Sequence, residues 1–427
     1  MSLFLIAYRI VFGILQFFIL SPMIFTLKIL IRLQWGGKFA KTLILRHEGK
    51  RELKNFPGKK PHQKVYWFHA ASGEIEYAKP VMRQLKEKDP TCLIVWSYSS
   101  VSAQDFFASV VDVDFKFPLP FDSVQNAKEL ISLVKPDLFL IARSDLWPEL
   151  LYQLQIKKIP RILFATTMSQ RKASSAINQN VFSLLSHLSC VADEDLSHLQ
   201  KMDLPGKLFQ HGDPRADQVY HRVTSIKKDL PLSRCLKNKN LLLLGSTWPE
   251  DEDALQSVFQ LSSWSFILVP HEWHPENRQH YLNFFSGQNV GFFSDLEQTG
   301  FLNHPLYDVI IVDRKGILAD LYRLATTVFV GGSFKEKVHS VYEPLAWGKN
   351  VYVGPFYENN REAVEFSKLL VDQKPCVTIL NRGKELSEVL ENLTAKDFEK
   401  FHDPIKKTIQ NKLGASQRLV EMILNLS

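Results

Sequence analysis

The loop around Glu74 carries residue types that can move a proton. Glu74 follows the small residues Ala71, Ser72 and Gly73 at the predicted start of a helix. A carboxylate in that position can face a cleft and act as a general base. The same position also suits an acidic residue that stabilises the helix dipole. Position alone therefore leaves the two roles of Glu74 equally open.

Two loops in the second half of the chain carry glycine and hydroxyl residues. The triplet 245–247 (GST) precedes a predicted helix, so it can cap that helix and present free amide groups to a phosphate, with capping alone as the alternative. The triplet 331–333 (GGS) follows an apolar run. Paired glycines there let the backbone approach a ligand closely, and a tight turn is the alternative. Both loops are candidate binding elements.

Metal and thiol chemistry have weak support in this sequence. Two D-x-D patterns, at 112–114 and 251–253, have a form that binds divalent ions, but two carboxylates at this spacing are common by chance. The histidines at 69, 271, 274 and 339 lack ligand spacing, and the four cysteines at 92, 190, 235 and 376 are unclustered. No G-x-S-x-G, Walker A or G-x-G-x-x-G motif occurs. We therefore expect no metal and no cofactor.

The candidate loops follow a repeated strand-loop-helix pattern. Short apolar runs occur at 65–68, 93–96, 137–141 and 161–165, and again at 241–244, 265–269, 309–312, 327–330 and 350–353. Such alternation predicts parallel sheets covered by helices on both faces. A polar, basic stretch at 222–240 separates the halves. We predict an α/β fold with two Rossmann-like domains facing across a cleft, at 36–225 and 241–402, joined by a linker at 226–240 and followed by a closing helix at 403–427.

The amino-terminal region predicts a membrane anchor over residues 1–35. Residues 10–27 contain no charge, which is near the minimum of about 17–20 residues for a span. Cations at 28, 32, 38, 41 and 46 follow this run, so the body should face the cytoplasm. Pro22 leaves an in-plane anchor as the alternative, and a cleaved signal peptide is disfavoured because no A-x-A site follows the run.

The net charge of +7 suits an anionic partner. The basic residues are spread along the chain rather than clustered, which does not favour nucleic acid.

Taken in order, the loop sequences resemble the bacterial 3-deoxy-manno-octulosonic acid (Kdo) transferases up to about Val371. The stretch 69–74 (HAASGE) is similar to the family's base motif, 145–148 (DLWP) to its ELWP stretch, and 165–171 to a later A-R-L-S-x-R stretch. In the second half, 246–252, 269–276, 331–333 and 339–346 match family loops in the same order, and Gly354-Pro355 with Asn359 partly matches another. The ordered series is more specific than any one motif.

This resemblance implies a GT-B type, inverting glycosyltransferase on the cytoplasmic side of a bacterial inner membrane. It would transfer Kdo from CMP-Kdo to a lipid A precursor (lipid IVA), without metal or cofactor, and its first domain would bind the acceptor and its second the donor. The implied catalytic residues are Glu74 as general base, Arg143 and Arg215. The implied donor-binding residues are His274, Pro275, Lys315, Gly316, Ile317, Gly331, Gly332, Ser333, Ser340, Val341, Tyr342, Glu343 and Asn359. The implied acceptor-side residues are Ser72, Gly73, Asp145 and Arg171.

Four positions depart from the family pattern. Arg143 replaces a glutamate credited with stabilising the transition state, and Arg215 replaces a lysine. Ile317 replaces the acid of an M-G-E loop, and Ser340 replaces an asparagine. These departures mark a divergent member and keep two alternatives open. One is a transferase of the same fold with a different nucleotide-sugar donor, and the other is a catalytically inactive membrane-bound relative.

The amino-terminal region gives the first testable prediction. A chain that begins at Lys38 should leave the membrane fraction, because it lacks the uncharged run that holds the protein to the bilayer. Sedimentation of membranes after a high-salt wash, with the full-length chain in parallel, measures the effect. Complete retention of the shortened chain contradicts the anchor assignment, whereas partial retention is compatible with attraction of its basic surface to anionic lipid.

Overall fold

The computed structural model describes residues 2–16, 23–24, 37–225, 231–301, 304–393 and 395–426. The chain forms two compact units, one comprising Met1–Gln218 and Lys412–Ser427 and the other Val219–Asn411. Each unit contains a seven-stranded sheet, and the paired strands of both sheets are parallel. The predicted α/β fold with two parallel-sheet domains is confirmed.

The first unit alternates strands and helices along the chain. Its strands are β1 (Val65–His69), β2 (Leu93–Tyr98), β3 (Phe115–Pro118), β4 (Leu138–Ala142), β5 (Arg161–Thr166), β6 (His187–Cys190) and β7 (Lys207–Gln210). Its helices are α1 (Leu3–Ile14), α2 (Lys38–Glu48), α3 (Ile75–Lys88), α4 (Val124–Val134), α5 (Pro148–Ile156), α6 (Gln170–Ala173), α7 (Ala176–Phe182) and α8 (Asp193–Gln200), and α9 (Pro214–Thr224) continues into the second unit. Short 3₁₀ helices occur at Glu52–Asn55 and Val101–Ser109.

The first sheet has the order β3-β2-β1-β4-β5-β6-β7. Its central strands are apolar on both sides because helices cover both faces. Trp67 and Phe139 pack into the core on one face, whereas Phe68, Trp96 and Phe164 pack into the core on the other. The strand order reverses between β1 and β4. In open α/β sheets the crevice at such a reversal, beyond the carboxyl ends of the strands, is where ligands bind.

The second unit repeats this design with different connections. Its strands are β8 (Asn240–Thr247), β9 (Trp264–Pro270), β10 (Val290–Phe292), β11 (Val309–Ile311), β12 (Thr327–Val330), β13 (Val351–Val353) and β16 (Val377–Ile379), with a separate antiparallel pair β14 (Leu370–Val371) and β15 (Lys374–Pro375). Its helices are α10 (Pro249–Ala254), α11 (Asn277–Phe284), α12 (Phe293–Thr299), α13 (Leu318–Leu321), α14 (Tyr342–Ala346), α15 (Arg361–Lys368), α16 (Lys384–Asn392) and α17 (Ala395–Gln410). Short 3₁₀ helices occur at Pro231–Cys235, Val258–Gln260 and Tyr322–Leu324.

The second sheet has the order β10-β11-β9-β8-β12-β13-β16. Its order reverses between β8 and β12, so its crevice lies where β8 ends at residues 245–247 and the loop 331–333 begins. Trp264 and Phe266 are buried in the core of this unit, and the Trp264 indole N–H donates to the backbone oxygen of Leu390 at 3.1 Å. Residues 226–230 of the expected linker lie outside the described residues, and the rest of it includes the buried side chains of Leu232 and Cys235.

The carboxyl terminus differs from the single closing helix expected over 403–427. Helix α17 ends at Gln410 in the second unit, and α18 (Ala415–Leu424) belongs to the first. The break occurs at Gly414, whose φ of 93° is left-handed and ends helical continuity. The Asp217 carboxylate accepts hydrogen bonds from the backbone N–H of Gly414 and Ser416, each at 2.7 Å. The apolar stripe predicts helix correctly but does not locate this break.

The amino terminus folds onto the first unit through polar contacts. The Tyr8 hydroxyl donates to Asp122 at 2.8 Å, and the Arg9 guanidinium donates twice to the buried Glu149 carboxylate, at 2.7 and 2.9 Å. Of the run 10–27 for which the sequence predicts an anchor, residues 17–22 and 25–27 lie outside the described residues. Within the described part of the chain, no helix has the length and apolar character required to cross a bilayer.

Candidate functional site

The carboxyl edge of the first sheet is built around an unusual backbone at its strand ends. Arg143 follows β4 with a φ of 72°, and Ala165, near the end of β5, has a φ of 55°. Positive φ is uncommon for residues other than glycine, and such conformations concentrate at functional sites. The Arg143 N–H donates to the backbone oxygen of Phe164 at 3.0 Å, which holds the turn in place. The chain therefore leaves the sheet sharply next to the end of β1.

Glu74 lies in the turn that leads from β1 into α3. Its carboxylate accepts a hydrogen bond from the Ser72 backbone N–H at 3.0 Å, and the side chain is half-buried. The carboxylate therefore folds back over the small-residue loop, while Gly73 is exposed. Glu76, two residues later, instead forms an ion pair with Lys79. The two acidic residues thus have different surroundings, as their helical spacing predicts.

Arg143 reaches the same helix from the neighbouring strand. Its guanidinium carbon lies 5.0 Å from the centre of the Tyr77 ring on α3, and Nη1 donates to the Ala165 backbone oxygen at 3.4 Å. The side chain is half-buried. A cation next to an aromatic face is stabilised by the ring quadrupole. Arg143 thus places positive charge at the first turns of the helix that follows Glu74.

Asp145 belongs to a buried polar cluster at the end of β1. Its carboxylate lies 2.9 Å from His69 Nε2 and accepts from Ser99, while His69 Nδ1 lies 2.9 Å from Ser97 Oγ. The Trp147 indole N–H points at the same His69 nitrogen, at 3.2 Å. Burial opposes ionisation of Asp145, but the His69 and Ser99 contacts outweigh it and lower the pKa of Asp145 to about 2. Asp145 is therefore an ionised carboxylate held in a fixed position.

The other two candidate residues of this unit follow strands farther along the sheet. Arg171 is exposed on α6, which follows β5. Arg215 is half-buried in the first turn of α9, which follows β7 at the sheet edge, and its backbone N–H donates to the Asp213 carboxylate at 2.9 Å. Because the strand order reverses between β1 and β4, Glu74, Arg143 and Asp145 are grouped at that point of the sheet. Arg215 instead follows β7, which is the edge strand on the β4 side of the reversal.

In the second unit, the loop after β12 requires both of its glycines. A Cβ atom on Gly331 would lie 2.4 Å from the Ser246 backbone oxygen, so β8 and β12 approach too closely for any side chain. Gly332 has a φ of 82°, and a Cβ there would lie 2.1 Å from the Lys337 backbone oxygen. Larger residues would clash with backbone that cannot move aside.

The buried Asp251 fastens this glycine loop. Its carboxylate accepts from the backbone N–H of Gly332 at 2.7 Å, of Phe334 at 2.9 Å and of Trp248 at 2.9 Å. Burial raises the pKa of Asp251, and the three amides oppose that rise. Because the Gly331 N–H also donates to the Gly245 oxygen, both glycine amides are engaged within the fold. The sequence predicts that the glycines bring the backbone close to a ligand, but they serve close packing within the fold, so a phosphate at this edge needs other groups.

Ser333 is likewise committed to the fold. Its buried hydroxyl donates to the Val330 oxygen at 3.0 Å and accepts from the Gly354 N–H at 2.7 Å. The loop 331–333 is thereby joined to the loop that follows β13. Ser333 therefore supports the shape of the carboxyl edge, and its hydroxyl is not directed at a ligand.

Stacked rings lie beside the glycine loop. The His271 and His339 rings are 4.3 Å apart, Trp248 lies 4.7 Å from His271, and the Lys335 ammonium is 3.6 Å from the centre of the Trp248 ring. Burial first, and then the neighbouring His271, lower the pKa of His339 to about 4, and burial also lowers that of His271. Both imidazoles are therefore neutral near pH 7. This arrangement provides flat surfaces and a cation close to the β12 loop.

The residues after His339 begin α14. Val341 and Tyr342 are buried, whereas Ser340 and Glu343 are half-buried. Ser340 Oγ donates to Glu362 at 3.4 Å. The charge of Glu343 adds to burial in raising the pKa of Tyr322, so these two side chains are neighbours. Glu343 is the acidic group in the first turn of α14.

The remaining candidate residues lie in loops with exposed side chains. His274 and Pro275 are exposed after β9, and Lys315 and Gly316 are exposed after β11. Ile317 is the N-cap residue of α13. The acid that the family has at this position would therefore lie at the start of that helix. Asn359 is exposed and donates to the Glu336 oxygen at 2.9 Å. All of these loops leave the carboxyl ends of strands in the same sheet.

Comparison with known proteins relates this chain to a family. Residues 47–218 match the family model described as 3-Deoxy-D-manno-octulosonic-acid transferase (kdotransferase). The 3-deoxy-D-manno-octulosonic acid transferase of Haemophilus influenzae is 24% identical over 387 residues, covering 85% of this chain and 87% of the relative. That of Aquifex aeolicus is 26% identical, covering 74% of this chain and 82% of the relative. These matches support a relationship of this chain to the Kdo transferase family.

Solved structures agree with the fold of this relative of the Kdo transferases. UDP-GlcNAc 2-epimerase from Neisseria meningitidis matches with a TM-score of 0.59 and 16% identity, over 85% of this chain and 100% of that chain. MurG from Acinetobacter baumannii matches with a TM-score of 0.50 and 9% identity, over 85% of this chain and 99% of that one. At these identities the likeness shows the fold alone. The Kdo transferase relatives indicate that the chain is a glycosyltransferase.

Two residues that contact the candidate loops, Arg46 and Asn360, were not predicted from the sequence as site residues. Arg46 is buried, its guanidinium carbon lies 3.8 Å from the centre of the Trp147 ring, and burial lowers its pKa to about 10. In the sequence, Arg46 is noted only as one of the cations that follow the uncharged run 10–27. Asn360 caps α15 and donates to the His339 oxygen at 2.9 Å, next to the predicted Asn359. Local sequence could have marked Asn360 only as a helix cap, because the His339 oxygen lies 21 positions away. Nothing local marks Arg46, because Trp147 lies far along the chain.

A metal centre is not found within the described ranges. No group of three or more histidine, cysteine or acidic residues is suitably arranged there. In the 251–253 pattern, Asp251 is bound to amides, and Glu252 accepts from Thr247 at 2.7 Å and from Tyr281 at 3.1 Å. Asp253 is exposed. Two of these three acidic residues thus have structural partners.

The Asp251 contacts generate a testable prediction. Asp251→Asn should lower the free energy of unfolding by about 1–3 kcal/mol, because an amide N–H₂ would face backbone N–H groups that need an acceptor. Urea denaturation measures the change. Asp253→Asn, in the same D-x-D pattern but exposed, is the matched control and should change stability little. Equal losses in both variants, reversed by added magnesium, would instead indicate a metal site.

Proposed function

We propose that this chain transfers Kdo from CMP-Kdo to a lipid A precursor, lipid IVA, in lipopolysaccharide core biosynthesis. The relationship to the Kdo transferases supports the reaction class, and the grouping of Glu74, Arg143 and Asp145 at the strand reversal supports its location. The observation that carries the proposal is Glu74 itself. It combines a half-buried carboxylate, an orienting hydrogen bond from Ser72 and the position of the family's base motif.

In the proposed mechanism, Glu74 removes the proton from a sugar hydroxyl of the acceptor. The acceptor oxygen attacks the anomeric carbon of Kdo from the face opposite CMP, which inverts the configuration. The Ser72 N–H holds one carboxylate oxygen and leaves the other for the acceptor hydroxyl. A general base must lie within hydrogen-bond reach of the proton that it removes, and the second carboxylate oxygen is assigned to that contact. The mechanism needs no covalent protein intermediate, metal or cofactor.

Arg143 supplies positive charge where the family has a carboxylate. A guanidinium binds carboxylates and phosphates with two parallel hydrogen bonds. Kdo carries a carboxylate, and the acceptor carries phosphates, so both substrates offer Arg143 an anionic group. Its contact with Tyr77 directs the guanidinium toward the helix that follows the base. We assign it to substrate binding.

The donor nucleotide is assigned to the carboxyl edge of the second sheet. Glu343 is suited to accept hydrogen bonds from the ribose hydroxyls. The Trp248, His271 and His339 rings offer faces against which a base or sugar can stack. Because the glycine amides are engaged, the phosphate of the leaving CMP is assigned to cations on neighbouring loops, Lys335 and Lys315. Positive groups placed where charge develops stabilise a leaving phosphate.

The proposed location is the cytoplasmic side of a bacterial inner membrane, in agreement with a lipid acceptor. The uncharged run at 10–27 and the cations after it support this proposal. The reaction partners are then a membrane-embedded lipid and a soluble nucleotide sugar. A protein held at the membrane surface meets both.

The general base gives the sharpest prediction. Glu74→Gln keeps the shape of the side chain but cannot accept a proton, so the transfer rate should fall about 10²–10⁴-fold. Incubation with CMP-Kdo and lipid IVA, followed by mass spectrometry under conditions where chemistry limits turnover, measures the rate. Glu76→Gln is the matched control because it lies two residues away and pairs with Lys79. If Glu74→Gln transfers Kdo at the wild-type rate, the base is wrongly assigned.

Donor binding gives a separate prediction. Glu343→Ala should weaken CMP binding about ten- to a hundredfold, because it removes a charged acceptor from the ribose. Titration calorimetry measures the affinity, and Glu358→Ala, an exposed acidic residue of the same unit, is the control. Unchanged CMP affinity in Glu343→Ala removes this residue from the site. Tighter binding of UMP or GMP than of CMP to the wild-type chain would favour a different nucleotide-sugar donor.

A further inference from the structure

A groove on the outer helical layer of the first unit is separate from the candidate catalytic edge. It lies against α1, α4 and α5 and has a volume of about 890 Å³. Helices α4 and α5 run from the carboxyl ends of one pair of strands back toward the amino ends of the next, as crossover helices do. Lys135 and Lys157 immediately follow these helices, so they lie toward the amino edge of the sheet. Glu74 and Arg143 lie at the opposite edge.

The groove combines positive charge with apolar walls. Lys128, Lys135 and Lys157 line it and are exposed, and no acidic residue is among its described lining. Ile131 is buried in the floor, and Ile156 is 54% exposed. The groove therefore places an exposed isoleucine close to several lysine ammonium groups. It suits a ligand with an anionic head and a hydrocarbon tail.

Helix α1 forms one side of the groove and is held there firmly. Arg9 lines the groove, donates twice to Glu149, and lies 5.4 Å from the Tyr152 ring, which is also in the lining. The exposed part of the same helix is apolar, with Ile10 at 57% and Val11 at 61% exposure. An interfacial helix places such a face among lipid acyl chains. The groove therefore opens beside a surface suited to lipid.

We propose that this groove binds the phosphate headgroup and an acyl chain of an anionic membrane phospholipid. The lysines would hold the phosphate, and Ile131 and Ile156 would contact the chain. Lysine attracts phosphate as a compact point charge, and several such charges near a membrane surface add their effects. The location at the amino edge of the sheet argues for a membrane lipid rather than the reacting acceptor. The proposal does not depend on the transferase reaction.

Native mass spectrometry of the full-length chain, released from detergent with equimolar phosphatidylglycerol and phosphatidylcholine, tests this site. The wild-type chain should retain phosphatidylglycerol preferentially. A Lys128→Ala/Lys135→Ala/Lys157→Ala variant should bind it about tenfold more weakly, since exposed charge contacts are individually modest. A Lys88→Ala/Lys201→Ala/Lys207→Ala variant removes the same charge from exposed positions outside the groove lining and should bind as wild type does.

The apolar part of the site is tested separately. Ile156→Ser should also weaken phosphatidylglycerol binding, because it removes an exposed apolar contact without disturbing the core. Equal binding in the groove-lysine and control-lysine variants would overturn the proposal. So would full lipid retention in Ile156→Ser together with equally tight binding of inorganic phosphate, which would define a simple anion site. Displacement of phosphatidylglycerol by stoichiometric lipid IVA would identify an acceptor subsite and overturn the phospholipid assignment.

Discussion

Burial of both faces of each parallel sheet determines where function can lie in this chain. Strands β1 and β4 are wholly buried, and they are largely apolar up to their carboxyl ends, so they cannot carry exposed polar groups along their length. Polar side chains become accessible only where the strands end, and the order of the strands decides which ends are neighbours. The reversal between β1 and β4 brings Glu74 and Arg143 to the same helix, and the reversal between β8 and β12 places Ser246 against Gly331. The candidate site residues follow from this topology.

Buried carboxylates then fix the loops at these edges by binding their amide groups. Asp122 accepts from the N–H groups of Glu149 and Leu150 at the start of α5, and Asp251 accepts from the loop after β12. Burial raises the pKa of Asp122 to about 6, and the amides and Tyr8 oppose the rise. A buried carboxylate is tolerated when several donors surround it. Such anchors keep the loops in place before any ligand binds.

The sequence predicts local features well and long-range partners poorly. Apolar runs at 65–68 and 241–244 correspond to β1 and β8. The paired glycines at 331 and 332, expected to let the backbone approach a ligand, lie instead against the backbone of Ser246 and Lys337. In the sequence, Asp251 is recognisable only as part of a D-x-D pattern, because its hydrogen-bond partner Gly332 lies 81 positions away. Arg46 reads as a membrane-flanking cation for the same reason, since it donates to the oxygen of Leu119, 73 positions away. Periodicity records which side of an element is apolar, but it does not record which distant group completes a hydrogen bond.

Arg143 shows why a charge reversal can leave the fold intact and still alter catalysis. Its left-handed backbone is set by the sharp exit from β4 and the bond to Phe164, neither of which involves the side chain. The side chain is therefore the part that differs from the family pattern. In the proposed Kdo transfer, a carboxylate at this position would favour the positive charge that develops at the anomeric carbon, whereas a guanidinium would favour the Kdo carboxylate, which is already charged in the ground state. Binding that is equal in ground and transition states lowers KM without raising kcat. Catalysis in this chain would then depend more on the base and on the groups around the leaving phosphate.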